Sequence, residues 1–311
     1  MKTANGKLTY VLITPARDEA GFIRNTLNSM VTQTVRPLKW VIVSDGSTDE
    51  TEEIVDEYVA KHDWIELLRM PEREDRHFGG KVQAFNAGLD RVKHLPYDLI
   101  GNLDGDSSFE PNYIEYLLGK FAQHPKLGIA GTHYCEPTWE GNLKIDPHFG
   151  NNKDVSGICQ LFRRDCFESF EGYKPSRNGG VDLIASIAGR MHGWETRVYT
   201  DKFLFHHRQQ GTAQINRFMV EYSNGRKDYM FGSHPLWEIF RSVYRLTKKP
   251  VILGGALLFV GYFWAMICRT NRVVSQEMMA FRRKEQLDRL CMISRKLLIP
   301  GRFAGAKTFE G

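Results

Sequence analysis

The 311-residue chain lacks most of the signals that would make it something other than a folded α/β protein. Its five cysteines are odd in number and show no C-x-x-C spacing, which argues against a disulfide framework or a zinc site and favours a reducing, cytosolic setting. It has no internal repeat, no low-complexity tract and no heptad run. The polar start "MKTANGKLTY" does not read as a signal peptide. No G-x-G-x-x-G occurs, which disfavours a dinucleotide dehydrogenase. No G-x-x-x-x-G-K-[ST] occurs either, so no P-loop is expected. The ligand spacing of a twelve-residue calcium loop is also missing.

What is present is uneven. The formal net charge of +5 hides an asymmetry. Residues 241–311 hold 14 Lys+Arg against 4 Asp+Glu, and residues 1–240 hold 28 against 33. A mildly acidic body with a basic tail calls for an anionic partner at the tail alone. The tail also contains "VILGGALLFVGYFWAMIC", 18 residues (251–268) without a charge. That length sits at the lower edge of a bilayer-spanning helix. Arg241, Arg245, Lys248 and Lys249 precede it, and Arg269, Arg272, Arg282, Arg283 and Lys284 follow. Basic flanks on both sides fit a simple span poorly. They fit better a re-entrant or interfacial helix against anionic headgroups, with a buried helix as the plainer reading. A nucleic-acid partner would leave the apolar run without a role. The expected division is an α/β domain over 1–236 and a basic helical tail over 237–311.

Before residue 135 the pattern alternates. "LTYVLITPA", "KWVIVSD", "WIELLRM", "YDLIGNL" and "LGIAGTHYC" read as strands. Helical spacing separates them, as in Phe22, Ile23, Leu27, Met30 and Val31. Ser47 and Glu50 have the spacing of a capping box, and Pro111 stands near a helix start. Such alternation implies right-handed βαβ crossovers and a mainly parallel sheet. Sites in such sheets lie at the carboxyl ends of the strands. "TPARDE", "SDGSTD" and "DGDSS" all fall at such ends and should share one crevice.

Each cluster has a chemical and a plain reading. Asp45 can accept from a base N–H or a ribose hydroxyl, or its cluster can be a turn with a helix cap. Asp104 and Asp106, two apart on extended chain, face the same side. Two carboxylates so close call for a cation or a proton, and their oxygens suit Mg2+ or Mn2+; the plain reading is an acidic turn. Gly79-Gly80-Lys81 opens a helix whose N-terminus suits an anion, or is simply a glycine-initiated helix. Asp182, at the head of an apolar helix after Gly179-Gly180, would stay ionised as a general base must, or serve only as a helix-start carboxylate. His206-His207-Arg208 ends a strand-like run and offers metal-ligand and phosphate-binding types. At most one of two consecutive strand histidines faces inward.

In this order, "TPARDE", "SDGSTDET", "GKVQAFNAGL", "DGD" and a Gly-flanked Asp before a helix closely resemble the family 2 glycosyltransferases of the GT-A fold. The resemblance covers residues 8–213 and is specific for family but weakly so for sugar. It implies a nucleotide-diphosphosugar transferase fold with a mainly parallel central sheet, followed by the helical tail. It implies inverting transfer of a sugar from a nucleotide diphosphate, with Mg2+ or Mn2+ as cofactor. By position, Pro15, Arg17 and Glu19 would lie near the nucleotide. Asp45 would bind the base, expected to be uracil, with Asp49 nearby. Lys81 and Asn86 would line the donor pocket, and Asp104 would lie near the ribose. Asp106 would hold the metal, and His206 or His207 would match the histidine that closes the metal site in many relatives. Asp182 matches the catalytic base, although Val181 precedes it where the family often has Glu.

The Gln-x-x-Arg-Trp motif of processive synthases is missing, and the region reads "RQQGTA". Transfer of a single sugar to a lipid-linked or saccharide acceptor is therefore expected, as in surface polysaccharide assembly. The expected location is the cytoplasmic face of the membrane, with no nucleic-acid partner. One rival is a polyprenyl-phosphate glycosyltransferase similar to dolichyl-phosphate mannose synthase, which Arg241 and Arg245 leave open. A nucleotidyltransferase is disfavoured for want of a Gly-rich N-terminal loop. A non-catalytic nucleotide-binding membrane scaffold is disfavoured because Asp106 and Asp182 are both present.

Overall fold

The structure, a computed structural model, describes residues 8–72, 78–137, 143–145, 152–176, 179–208, 217–247 and 252–298. Strand β1 (Tyr10–Ala16) carries no charge and is apolar on both faces. Leu12 points to one hydrophobic core with Ile42 of β2 (Lys39–Asp45), and Ile13 to a second with Val43. A strand buried on both sides reads as a continuous apolar run rather than an alternating one. Helices α1 (Ile23–Val31), α2 (Thr51–Val59) and α4 (Tyr113–Gln123) contribute Leu27, Val55 and Leu117 to the first core. Helices α3 (Phe78–Val92), α5 (Arg164–Ser169) and α6 (Val181–Met191) contribute Phe85, Phe167 and Ala185 to the second.

With β3 (Ile65–Met70) and β4 (Leu99–Leu103), the first strands lie in the order β3-β2-β1-β4, all parallel. The chain moves to one side of β1 for β2 and β3, and to the other for β4. That reversal opens a crevice at the carboxyl ends of β1 and β4. Beyond β4 lie β8 (Cys159–Arg163), antiparallel to its neighbours, then β6 (Leu127–Pro137) and β9 (Glu195–His206), which pair in parallel. A two-residue strand β5 (Ser107–Ser108) pairs with the end of β9, and β7 (Leu143–Ile145) pairs with β6. The α/β reading thus holds; of the strands that pair antiparallel, β7 and β8 fall after residue 135, where the alternation ended, and the two-residue β5 falls before it.

Three local expectations are corrected. The Ser47/Glu50 capping box does not form: α2 begins at Thr51, and Ser47 Oγ instead meets Ser44 Oγ at 3.1 Å and accepts from the Asp18 N–H. Asp49 supplies the local contact, accepting from the Thr51 N–H at 3.1 Å. Helix α3 starts at Phe78, so Gly79 and Gly80 lie within its first turn rather than before it. The helical tail also begins earlier than residue 237. The chain divides into compact units over Met1–Gln210 and Gly211–Gly311. Within the second, α7 (Arg217–Met230) packs on α9 (Leu253–Ile267), and α9 in turn packs on α8 (Pro235–Leu246). The last helix is α10 (Gln276–Leu298). Among the described residues, no helix is long and apolar enough to cross a membrane. Lys248, Lys249 and Val251 lie outside the described residues.

Candidate active site

The strand ends bring the carboxylates together. The backbone N–H of Asp104 donates to the Ile158 carbonyl at 2.8 Å, holding the start of the D-G-D turn against β8. Pairing of Ser107 with His206 places the end of β9 beside that turn. The result is a cluster of Asp104, Asp106 and His206, whose nearest ligand-type atoms all lie within 4.8 Å of one another. His206 Nε2 stands 3.2 Å from Asp106 Oδ1, and its Nδ1 stands 4.0 Å from Glu136 Oε2.

The two aspartates titrate in opposite directions. Burial raises the Asp104 carboxyl, and the Lys81 ammonium 2.5 Å away only partly offsets it. Burial also pushes on Asp106, but the hydrogen bond and charge of His206, with Arg208, outweigh it and hold its carboxyl low. Burial disfavours the His206 imidazolium, yet the bond to Asp106 wins and its pKa is raised. A half-buried and a buried carboxylate beside a buried imidazole form a hard-oxygen and nitrogen donor set that suits Mg2+ or Mn2+. A cation there would add to the positive charge that Lys81, His206 and Arg208 already supply.

The two histidines separate. The backbone of His207 donates to the Asp106 carbonyl at 2.8 Å, while its ring meets Ser108 Oγ at 2.8 Å and stacks on Phe22. His207 therefore does not join the Asp104–Asp106–His206 cluster, and the expectation that left either histidine open narrows to His206. Burial lowers the pKa of His207.

Glu19, at the end of β1, accepts from Arg208 Nη2 at 2.7 Å. Burial pushes its carboxyl up to about 7, with Asp106 adding to the rise and Arg208 opposing it. Arg208 also reaches within 3.8 Å of Asp106 Oδ2 and lies over the Phe22 ring. Pro15 and Arg17 are half-buried on the same strand end. Asp45 is buried at the end of β2. It precedes Gly46, whose φ of +66° is left-handed and where a Cβ would strike the Glu72 backbone. Asp49 faces structure: burial raises its carboxyl, but bonds from Thr51 and the Ala20 N–H outweigh it and hold it low. Asn86 lies five residues beyond Lys81 on α3, about 140° round the helix. Among the described residues, no hydrogen bond or ion pair joins Asn86 to the acidic cluster.

Asp182 stands second in α6, after Gly180, which adopts φ 70°. Its Oδ2 accepts from the Gly157 N–H at 3.0 Å, and its charge is felt at Lys81. Gln160 secures this corner: its Nε2 donates to the Asp182 carbonyl at 3.2 Å, and its Oε1 accepts from the Tyr173 hydroxyl at 2.5 Å. Sequence reasoning missed Glu136 and Gln160. Glu136 closes a strand with no motif around it. Gln160, a polar residue inside the apolar run "ICQLF", left a readable trace.

The family model for "Glycosyl transferase family 2" matches residues 11–170, which carry β1 to β4, the D-G-D turn and Gln160. The chain belongs to glycosyl transferase family 2. This glycosyltransferase is 30% identical over 176 residues to chondroitin synthase of Pasteurella multocida, a match covering 54% of this chain and 17% of that protein. It thus spans about a sixth of that relative's length. It is 25% identical over 268 residues to glucosyl-dolichyl phosphate glucuronosyltransferase of Haloferax volcanii, covering 79% and 77% of the two chains. Its fold is similar to that of the mannosyltransferase PcManGT from Pyrobaculum calidifontis, solved with GDP-Man and Mn2+. There the TM-score is 0.52 at 16% identity, covering 95% of this chain and 81% of the other. The family and the fold make the chain a transferase of the GT-A type.

Proposed function

We propose that this glycosyltransferase moves one sugar from a UDP-sugar to a hydroxyl of a lipid-linked or saccharide acceptor, with inversion, at the cytoplasmic face of the membrane. The observation that carries the reading is the convergence of Asp104, Asp106 and His206 at the β1/β4 crevice, with Asp182 held by a separate corner. Asp106, His206 and Asp104 would hold Mg2+ or Mn2+, which supplies positive charge to the leaving diphosphate. Pro15, Arg17, Glu19, Asp45, Lys81 and Asn86 would form the nucleotide pocket, and Asp49 would hold its loop. Asp104 then serves the metal and the ribose side together, a broader role than the ribose alone.

Asp182 would take the proton of the attacking hydroxyl. Its Oδ2 is oriented by the Gly157 amide, so the carboxylate meets the acceptor in one pose. A single displacement needs no covalent nucleophile. The relative named for glucosyl-dolichyl phosphate, matched over most of both chains, supports a lipid-linked acceptor.

The test is a screen of UDP- and GDP-sugars with Mn2+ and membrane lipid extract, products being identified by mass spectrometry. One sugar added to a glycolipid hydroxyl supports the reading. A sugar on polyprenyl phosphate itself would favour the rival acceptor. No turnover of any common donor would count for the scaffold reading.

A further inference from the structure

The second unit buries several polar side chains beside its apolar cluster while turning many large apolar ones outward. On α8, Glu238 is fully buried and Ser242 nearly so, while Leu236, Ile239 and Val243, spaced along one face, are 55%, 40% and 58% exposed. On α10, Arg282 and Gln286 are buried, while Leu287 and Met292 are exposed. Helix α9 has no charged residue. It buries Gly254, Gly255, Gly261 and Ala265, and turns Phe259, Val260, Trp264 and Ile267 outward. Of the sixteen large apolar side chains exposed among the described residues, fourteen lie in this unit.

Inside, polar groups sit beside a small apolar cluster of Tyr229, Met230, Tyr262 and Ala265, and among the described residues both Glu238 carboxylate oxygens and the Ser242 hydroxyl are buried without a hydrogen bond. Asp228 of α7 meets Arg241 and Arg282, Arg282 donates to the Phe231 carbonyl at 2.8 Å, and Gln286 accepts from the His234 N–H at 2.7 Å. Helices α7 and α9 approach through glycine: a Cβ on Gly261 would fall on the Tyr222 carbonyl, and one on Gly225 on the Leu258 carbonyl. Small residues between helices, polar groups inside and large apolar groups outside are how helices pack when hydrocarbon surrounds them.

We propose that the outer faces of α8 and α9 form a membrane-binding surface that lies in one leaflet of a bilayer containing anionic phospholipid. The fifteen residues of α9 rise about 22 Å, short of the ~30 Å hydrocarbon core, so the helix enters one leaflet and does not cross. Charge selects the lipid: residues 241–311 carry 14 Lys+Arg against 4 Asp+Glu, an excess that remains once Arg241 and Arg282, paired with Asp228 inside, are set aside, and exposed Arg269 follows the end of α9. A second copy of this chain would bring the same positive charge to the contact, which disfavours self-association as the cover. The proposal deepens the lipid-linked-acceptor reading and rests on it for what the surface serves, while its evidence belongs to the second unit.

Flotation of the full chain with phosphatidylglycerol/phosphatidylethanolamine vesicles tests it. The wild type should float, and should bind phosphatidylcholine vesicles at least tenfold more weakly. Val243→Asp combined with Val260→Asp should lose binding tenfold or more with an unchanged melting temperature. Leu38→Asp, exposed in the first unit, should float like wild type. Brominated lipid should quench tryptophan fluorescence in the wild type and markedly less in Trp264→Phe, a readout that survives any folding defect of the aspartate variants. The proposal is overturned if wild type stays at the bottom of the gradient, if the double variant floats undiminished, or if Trp264→Phe is quenched like wild type. A dimer broken by the double variant, without vesicle binding, would assign the surface to a second copy. Vesicle binding without turnover of any nucleotide sugar would overturn the proposed single-sugar transfer and leave this surface standing.

Discussion

His206 and His207 are neighbours in sequence with opposite surroundings. One is buried against Asp106 with Glu136 behind it, and the other bonds Ser108 over Phe22. Strand geometry causes the split, because successive side chains leave β9 on opposite sides. His206→Gln should raise the Mn2+ concentration for half-maximal turnover about tenfold or more, as loss of a supporting metal-site group does, whereas His207→Gln should stay within about twofold. Equal effects, read by metal titration of the initial rate, would contradict this placement. Asp182→Asn should lower turnover by about 10²–10⁴-fold, the usual contribution of a general base, with UDP affinity by calorimetry nearly unchanged. Loss of UDP binding in that variant would make Asp182 part of the donor pocket instead.

At the scale of elements, α8 concentrates the tension of the second unit. Burial pushes the Glu238 carboxyl up to about 8; Asp228 adds to the rise, and Arg241 and Arg282 oppose it. The folded state therefore holds this proton more tightly than an unfolded glutamate near 4.5. Between those values the native state binds more protons, so stability falls as pH rises from about 4.5 to about 8. Glu238→Gln should remove that slope, raising stability on the order of 1 kcal/mol or more at pH 8 and less at pH 5. Paired melting curves at the two pH values check the sign.

The α8 face also shows where sequence reading stopped. Residues 251–268 announced themselves by lacking charge, but "PLWEIFRSVYRL" looks like an ordinary amphipathic helix until Glu238 is seen inside and Val243 outside. Which face of an amphipathic helix turns inward depends on its solvent, and one sequence does not state the solvent.

At the scale of the whole molecule, the first unit was legible because its logic is local. Apolar strands ending in polar turns imply a parallel sheet, and a parallel sheet places those turns together. "TPARDE", "SDGSTDET" and "DGDSS" could therefore be grouped before any contact was known. The second half of that unit resisted because its pairings are long-range. Ser107 pairs with His206 across 98 intervening residues, and β8 inserts antiparallel between β4 and β6. No periodicity encodes such pairings. Glu136 behind His206 and Gln160 behind Asp182 are residues that only those pairings bring to the site.

The proposed reaction is a single displacement at the sugar, with Asp182 as base and the Asp104–Asp106–His206 cluster serving the leaving diphosphate. Its most direct test is the anomeric configuration of the product, read by NMR from the wild type with a UDP-α-sugar and Mn2+. A β-linked product, lost in Asp182→Asn, is the predicted result. An α-linked product, or transfer undiminished in Asp182→Asn, would contradict it.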